Sequence, residues 1–242
     1  MKMYGEHRYP GRLFVVEGID GSGKSTQLLL LKQWLEGEGY SVIESSWNSS
    51  ILVKKTTKAA KEQQTFTPTT FSLLHATDFA DRIEREIIPP LQAGSIVLCD
   101  RYIYTAFARD AARGCEPLWI RDMYKFAVKP TLAFYFKVPL DTACKRILGG
   151  AGRGQLKFYE AGMDLGLSPD IQQSFRLFQG RILDEYERMI KEYDFNVVDA
   201  TLPIETQQEQ VREIVSKKLE EARKVRLRKW VRLSPMVQGF RD

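Results

Sequence analysis

The residues Gly18-Ile19-Asp20-Gly21-Ser22-Gly23-Lys24-Ser25-Thr26 set two glycines, Gly18 and Gly23, with four residues between them, ahead of a lysine and two hydroxyl side chains. Glycines permit backbone angles that turn successive N–H groups into one concavity, and a helix starting just after them adds the positive end of its dipole. That combination binds a polyphosphate. Lys24 would reach its β and γ phosphates, and Ser25 would ligate magnesium. A glycine-rich turn without function would match the same pattern, so context decides. Leu13-Phe14-Val15-Val16 precede the loop as an apolar run, and Leu28 to Leu31, Trp34 and Leu35 follow at helical spacing, which gives strand, loop and helix.

A second group with chemical potential is Asp100-Arg101-Tyr102, directly after the apolar run Ile96-Val97-Leu98-Cys99. A carboxylate at a strand end beside the phosphate loop could hold magnesium through water or accept a hydrogen bond from substrate, and Arg101 could hold a phosphate. Asp100 also suits the cap of a helix beginning near Ile103. The third group is Gly149-Gly150-Ala151-Gly152-Arg153-Gly154, followed by Gln155, Lys157 and Glu160. So many glycines let a segment move, as a lid closing over phosphates must, and Arg153 distinguishes it from a plain connector.

The elements that must position these groups alternate along the chain. Expected strands are Leu13 to Glu17, Ser41 to Ser45, Ile96 to Cys99, Leu132 to Lys137 and Asn196 to Val198, all short and apolar. Expected helices are Ser25 to Glu36, Thr70 to Leu91, Ile103 to Arg113, Pro117 to Ala127, Leu140 to Leu148, Pro169 to Glu192 and Pro203 to Trp230. Continuous apolar strands separated by helices imply a parallel sheet buried on both faces, with ligands in the crevice beyond the strand C-terminal ends.

Composition narrows the function classes. Over 242 residues Cys99, Cys115 and Cys144 follow no metal-ligand spacing, so reduced, buried thiols are expected. No apolar stretch reaches the roughly 18 to 20 residues of a membrane span, and the N-terminus lacks a signal-peptide core, so a cytoplasmic location is expected. The net charge is +5, but Lys217 to Arg232 alone carries eight basic residues against Glu220 and Glu221. The excess therefore belongs to one C-terminal helix. Its Val211, Val215, Leu219, Ala222, Val225 and Trp230 form a stripe for packing on the domain, which weighs against nucleic acid or membrane as partner.

Taken together, the chain resembles the thymidylate kinase family of nucleoside monophosphate kinases from about Arg12 to Thr201. The resemblance lies in Glu17-Gly18-Ile19-Asp20-Gly21-Ser22-Gly23-Lys24-Ser25-Thr26, in Asp100-Arg101-Tyr102, in Arg153-Gly154-Gln155-Leu156 with Glu160, and in Val197-Val198-Asp199-Ala200. It implies an α/β architecture, the three-layer P-loop kinase fold: an about five-stranded parallel sheet with helices on both faces and a mobile lid. One domain would cover 1–242, with its core at about 12–201, the lid at about 149–165 and the basic helix and tail at about 203–242. It further implies transfer of the γ-phosphoryl of ATP, with Mg2+, to a nucleoside monophosphate acceptor, and a homodimer. On this resemblance Gly18, Asp20, Gly21, Ser22, Gly23, Lys24, Ser25 and Thr26 bind the donor, and Ser25 and Asp100 serve the metal. Lys24, Arg153 and Asp100 act in catalysis, and Asp20, His75, Phe79, Arg101 and Tyr102 face the acceptor, Asp20 through a sugar hydroxyl. Gly21 and Ser22 carry no cation inside the loop, so the burden on the migrating phosphoryl falls on Arg153, with Lys157 and Arg146 as helpers.

The acceptor pocket departs from the family pattern. Where the family has an Arg-Glu-Pro-Gly-Gly loop whose arginine binds the acceptor phosphate, this chain has Ser46-Trp47-Asn48-Ser49-Ser50. The family's stacking phenylalanine and base-reading arginine align with His75 and Phe79, an aromatic pair on one helical face without the bidentate donor. His75 also reads as a packed helix residue. Arg82 and Arg109 could each replace the missing cation, or simply pair with Asp78 or Asp110 on the surface. Two other classes remain open: a nucleotide-dependent switch or regulatory ATPase, and a nucleic-acid binder using the basic helix. Asn48 and Asn196 are followed by serine and valine, so no guanine-reading motif supports a guanine switch.

Overall fold

A computed structural model describes residue 5, residues 7–149 and residues 156–237, the stretch 225–237 by its backbone alone. The strands are β1 (Arg12–Glu17), β2 (Val42–Ser46), β3 (Ile96–Asp100), β4 (Leu132–Lys137) and β5 (Phe195–Asp199). They form a five-stranded parallel sheet in the order β2-β3-β1-β4-β5. The three inner strands bury nearly every side chain, because helices cover both faces. The edge strands do not: Ile43 and Val197 are exposed.

Helices α1 (Lys24–Gly37), α2 (Lys54–Glu62), α3 (Pro68–Arg82), α4 (Ile88–Ala93), α5 (Ile103–Ala112), α6 (Pro117–Met123), α7 (Leu140–Gly149), α8 (Ile171–Met189) and α9 (Ile204–Val237) connect the strands. Strand expectations fall within a residue or so of these bounds. The long helix expected from Thr70 to Leu91 is interrupted instead, since Ile83–Ile87 forms a π-turn between α3 and α4. Pro89 and Pro90 cannot donate backbone hydrogen bonds, and a widened turn before them relieves the clash of their rings. α2 was not expected, because Lys54–Glu62 buries only Thr57 and has no apolar stripe.

α9 packs on α1 and β5 through Val211 and Val215, both fully buried, with Leu219 against the same core. The Gln208 amide clamps it to α1 by donating to the Gln27 backbone carbonyl at 2.7 Å. The expected docking face is thus present up to Leu219, and Val225 and Trp230 lie outside the described side chains. Cys99 and Cys144 are buried free thiols, Cys115 is half-buried, and burial pushes the Cys99 thiol up to about 11. Among the described residues no helix is long and apolar enough to cross a membrane.

Candidate active site

β1 sits at the centre of the sheet and delivers the chain into the glycine loop at the strand ends, where β3 delivers Asp100 and Arg101 beside it. Gly18, Gly21 and Gly23 all take positive φ (145, 83 and 85°), and Gly23 caps α1 from the left-handed region. A Cβ on Gly21 would stand 2.4 Å from the Ala143 carbonyl oxygen, a backbone atom that cannot step aside. Gly21→Ala should therefore lower unfolding free energy by about 2 kcal/mol in a denaturant titration. An unchanged midpoint would contradict this close approach of loop and α7.

The loop's polar groups converge. The Lys24 ammonium is buried, 3.3 Å from the Ile19 carbonyl and 3.8 Å from Asp20. Burial chiefly, with the Arg101 charge, lowers its pKa to about 8 against the opposing carboxylates Asp20, Asp100 and Glu17. Ser25 Oγ donates to Asp100 Oδ2 at 2.8 Å, while Asp100 Oδ1 is buried without a partner. A hydroxyl beside a carboxylate with an unused buried oxygen suits a hard cation that keeps most of its ligands as water and phosphate oxygens, so these two residues fit magnesium. Thr26 is exposed, and Ser22 is buried with its hydroxyl unpartnered.

Asp20 is the hub. It pairs with Arg101, and Gln179 of α8 donates to it at 3.2 Å while accepting its backbone N–H. Burial opposes its ionisation, but the charges of Arg101 and Lys24 and these hydrogen bonds prevail and lower its pKa. Behind the loop, Glu17 is fully buried and accepts from the Tyr102 N–H and from the Thr105 and Tyr186 hydroxyls, all within 2.7 Å. Burial raises its pKa in spite of those bonds.

A cavity of about 490 Å³ runs from Lys24, Ser25 and Asp20 past Arg101 to a far wall of Trp47, Phe71 and His75. Of the residues expected at the acceptor, Asp20, His75 and Arg101 line it. Phe79 and Tyr102 do not, which corrects both expectations. Helical spacing does put Phe79 on the face of His75, but the Trp47 ring lies over it at 5.3 Å, and Phe79 is fully buried against Tyr102 and Tyr124. Tyr102 is likewise in the core, its hydroxyl donating to the Val128 carbonyl at 2.8 Å.

Trp47 is held there by α3. Asp78 accepts the Asn48 N–H at 2.9 Å and the Ser50 N–H at 3.0 Å, and Ser50 Oγ donates to Asp81. The arginines separate. Arg82 is fully buried, no surface pair with Asp78: it donates to the Ser45 hydroxyl and to the carbonyls of Ser45 and Arg101, tying the end of β2 to the turn after β3. Arg109 does pair with Asp110, at 2.8 Å, yet within the cavity wall instead of on the surface, with its guanidinium over Trp47 and Phe71. Arg146 donates to the carbonyls of Gly21 and Ala200. Lys157 pairs with Glu160, and Arg153 lies outside the described residues.

Several site residues carried no sequence signal. Trp47 reaches the wall from the loop after β2, Lys61 from α2, Phe71 from α3 and Arg113 from just after α5, and Gln179 and Tyr186 from α8, far away in the chain.

A family model described as thymidylate kinase matches residues 16–211. The chain is 41% identical over 206 residues to a probable thymidylate kinase 2 of Saccharolobus solfataricus, covering 85% of this chain and 95% of that protein. It is 36% identical over 143 residues to a probable thymidylate kinase of Pyrococcus horikoshii, covering 57% and 70% of the two chains. A thymidylate kinase of Desulfotalea psychrophila is 32% identical over 155 residues, 64% of this chain and 77% of its own. With one family matched from inside β1 to the first turns of α9, and a relative aligned along most of its length, this chain belongs to the thymidylate kinase family.

Proposed function

We propose that the protein transfers the γ-phosphoryl group of ATP to thymidylate, giving thymidine diphosphate and ADP. The observation that carries this reading is the single cavity joining the phosphate loop to an aromatic wall. A hydrolytic switch needs the first part only; a second compartment lined by Trp47, Phe71 and His75 is suited to a second, base-bearing substrate.

Phosphoryl transfer asks for alignment and positive charge more than covalent chemistry. The loop amides and Lys24 grip the donor's phosphates. Arg101, which lines the cavity beside the phosphate loop, orients the acceptor's phosphate, and Asp20 holds Arg101 in place until substrate competes for it. Magnesium, held through Ser25 and Asp100, would neutralise charge on the donor phosphates. Arg153 is the arginine that the sequence offers for the migrating phosphoryl. A homodimer and a cytoplasmic location complete the proposal, on family membership alone.

An assay of ADP formation across a panel of nucleoside monophosphates, with a no-acceptor control, tests it. Thymidylate should raise ADP release at least a hundredfold over the control. Hydrolysis indifferent to every acceptor would overturn the kinase reading and restore the switch.

A further inference from the structure

His75 stands where the family pattern has a stacking phenylalanine, and its surroundings give it a different role. Its Nδ1 lies 2.8 Å from the Phe71 carbonyl. A carbonyl only accepts, so Nδ1 carries the hydrogen and the neutral ring presents a bare lone pair at Nε2. The ring stays neutral: burial first, then the charges of Arg109, Lys61 and Arg113, hold its pKa well below 6.5.

The orientation is constrained as well. Phe71 covers one face of the imidazole, with centroids 4.1 Å apart and planes 23° from parallel. The residue lines the cavity yet is only 2% exposed, which leaves no open face for stacking. No described residue donates to Nε2, and that atom is not among the buried unpartnered ones. An acceptor atom thus stands in the wall of a cavity that Arg109, Arg113 and Lys61 line with donors, alongside Asn48, Tyr159 and Glu160.

We infer that His75 reads the acceptor's base, its Nε2 accepting the ring N–H of a pyrimidine-2,4-dione, so that thymidylate is selected over deoxycytidylate. Thymine offers N3–H between two carbonyls: the N–H meets Nε2 and a carbonyl meets the donors of the same wall. Cytosine offers a bare N3, which would face the bare Nε2 with no hydrogen between them and leave both unpaired in a buried site. The base edge that an arginine reads in the family pattern is here read by an acceptor assisted by Arg109. This inference rests on the thymidylate kinase reading of the site.

The test compares kcat/KM for thymidylate and deoxycytidylate in the parent and in His75→Phe, which keeps an aromatic ring against Phe71 but removes the acceptor. The parent should prefer thymidylate by about a hundredfold or more, and the variant's preference should shrink by about 10- to 100-fold. Because the ratio is internal to each protein, a partly folded preparation does not distort it. A second measurement needs no variant: 3-methylthymidine monophosphate, whose N3 bears methyl in place of hydrogen, should compete with thymidylate at least tenfold less well than unlabelled deoxyuridylate does. Thymidylate turnover with an unchanged ratio in His75→Phe, or full competition by the N3-methyl compound, overturns the role of His75 and leaves the kinase reading standing. Absence of turnover with every acceptor overturns both.

Discussion

Lys24→Ala should reduce phosphoryl-transfer turnover by about a thousandfold, at the upper end of what one preorganised donor contributes and consistent with this donor being charged. The reason is the state of the ammonium before substrate arrives. It is buried within the first turn of α1, has among the described residues only the Ile19 carbonyl within hydrogen-bond reach, and shares Asp20 with Arg101. Burial makes its charge costly, which is why its pKa falls to about 8. A polyphosphate in the loop supplies the missing anion, favours the charged form further, and receives a cation that needs no reorganisation. Alanine removes the cation and leaves Asp20 facing the phosphates with Arg101 as its one ion-pair partner among the described residues. Lys24→Arg should not rescue, since a planar fork does not fit the site of a compact ammonium. Steady-state turnover with saturating thymidylate, together with calorimetric MgATP affinity, checks the prediction. An alanine variant within tenfold of the parent in both would remove the phosphate loop from the mechanism.

The sequence made the donor half of the site legible and the acceptor half only in outline, for a physical reason. Donor binding depends on backbone angles within one loop, and glycine at 18, 21 and 23 announces those angles directly. The strands were equally plain, because continuous apolar runs such as Leu132–Lys137 suit only a sheet covered on both sides. Acceptor binding depends on what lies over what. Spacing puts His75 and Phe79 on one face of α3, yet nothing local says that Trp47, from another segment, will cover Phe79 while His75 keeps a place in the cavity wall. α2 was hidden because a helix held by one buried threonine has no periodicity to read. The Glu17 anchor was hidden too. A glutamate ending a buried strand reads as an exposed residue until Thr105 and Tyr186 are seen donating to it.

Arg101→Ala should lower kcat/KM for thymidylate by on the order of a hundred- to a thousandfold, with MgATP affinity within a few fold of the parent. Arg101 occupies the left-handed region at φ 69°, a conformation that costs a non-glycine residue energy and persists because its surroundings fix it. Its N–H donates to the Val16 carbonyl at 3.0 Å, and its own carbonyl accepts from the buried Arg82 at 3.2 Å. That backbone twist turns the guanidinium from the strand end toward Asp20, in the lining of the cavity. The family's loop arginine is absent and Arg82 is locked to carbonyls, while Arg109 is paired with Asp110. Of the guanidiniums that line the cavity, Arg101 is the one paired with a residue of the phosphate loop, which places it to take an acceptor phosphate close to the donor. Its removal has a second consequence: Asp20, released from its main partner, can draw on Lys24 and weaken that group's hold on the donor phosphate, so kcat should fall along with the rise in KM. Arg101→Lys separates these contributions. It restores a charge for Asp20 but not the bidentate fork, so kcat should recover more than KM does. If both variants match the parent in acceptor kinetics, the acceptor's phosphate is held elsewhere, and the line drawn from Lys24 through Arg101 to His75 is not the path along which the two substrates meet.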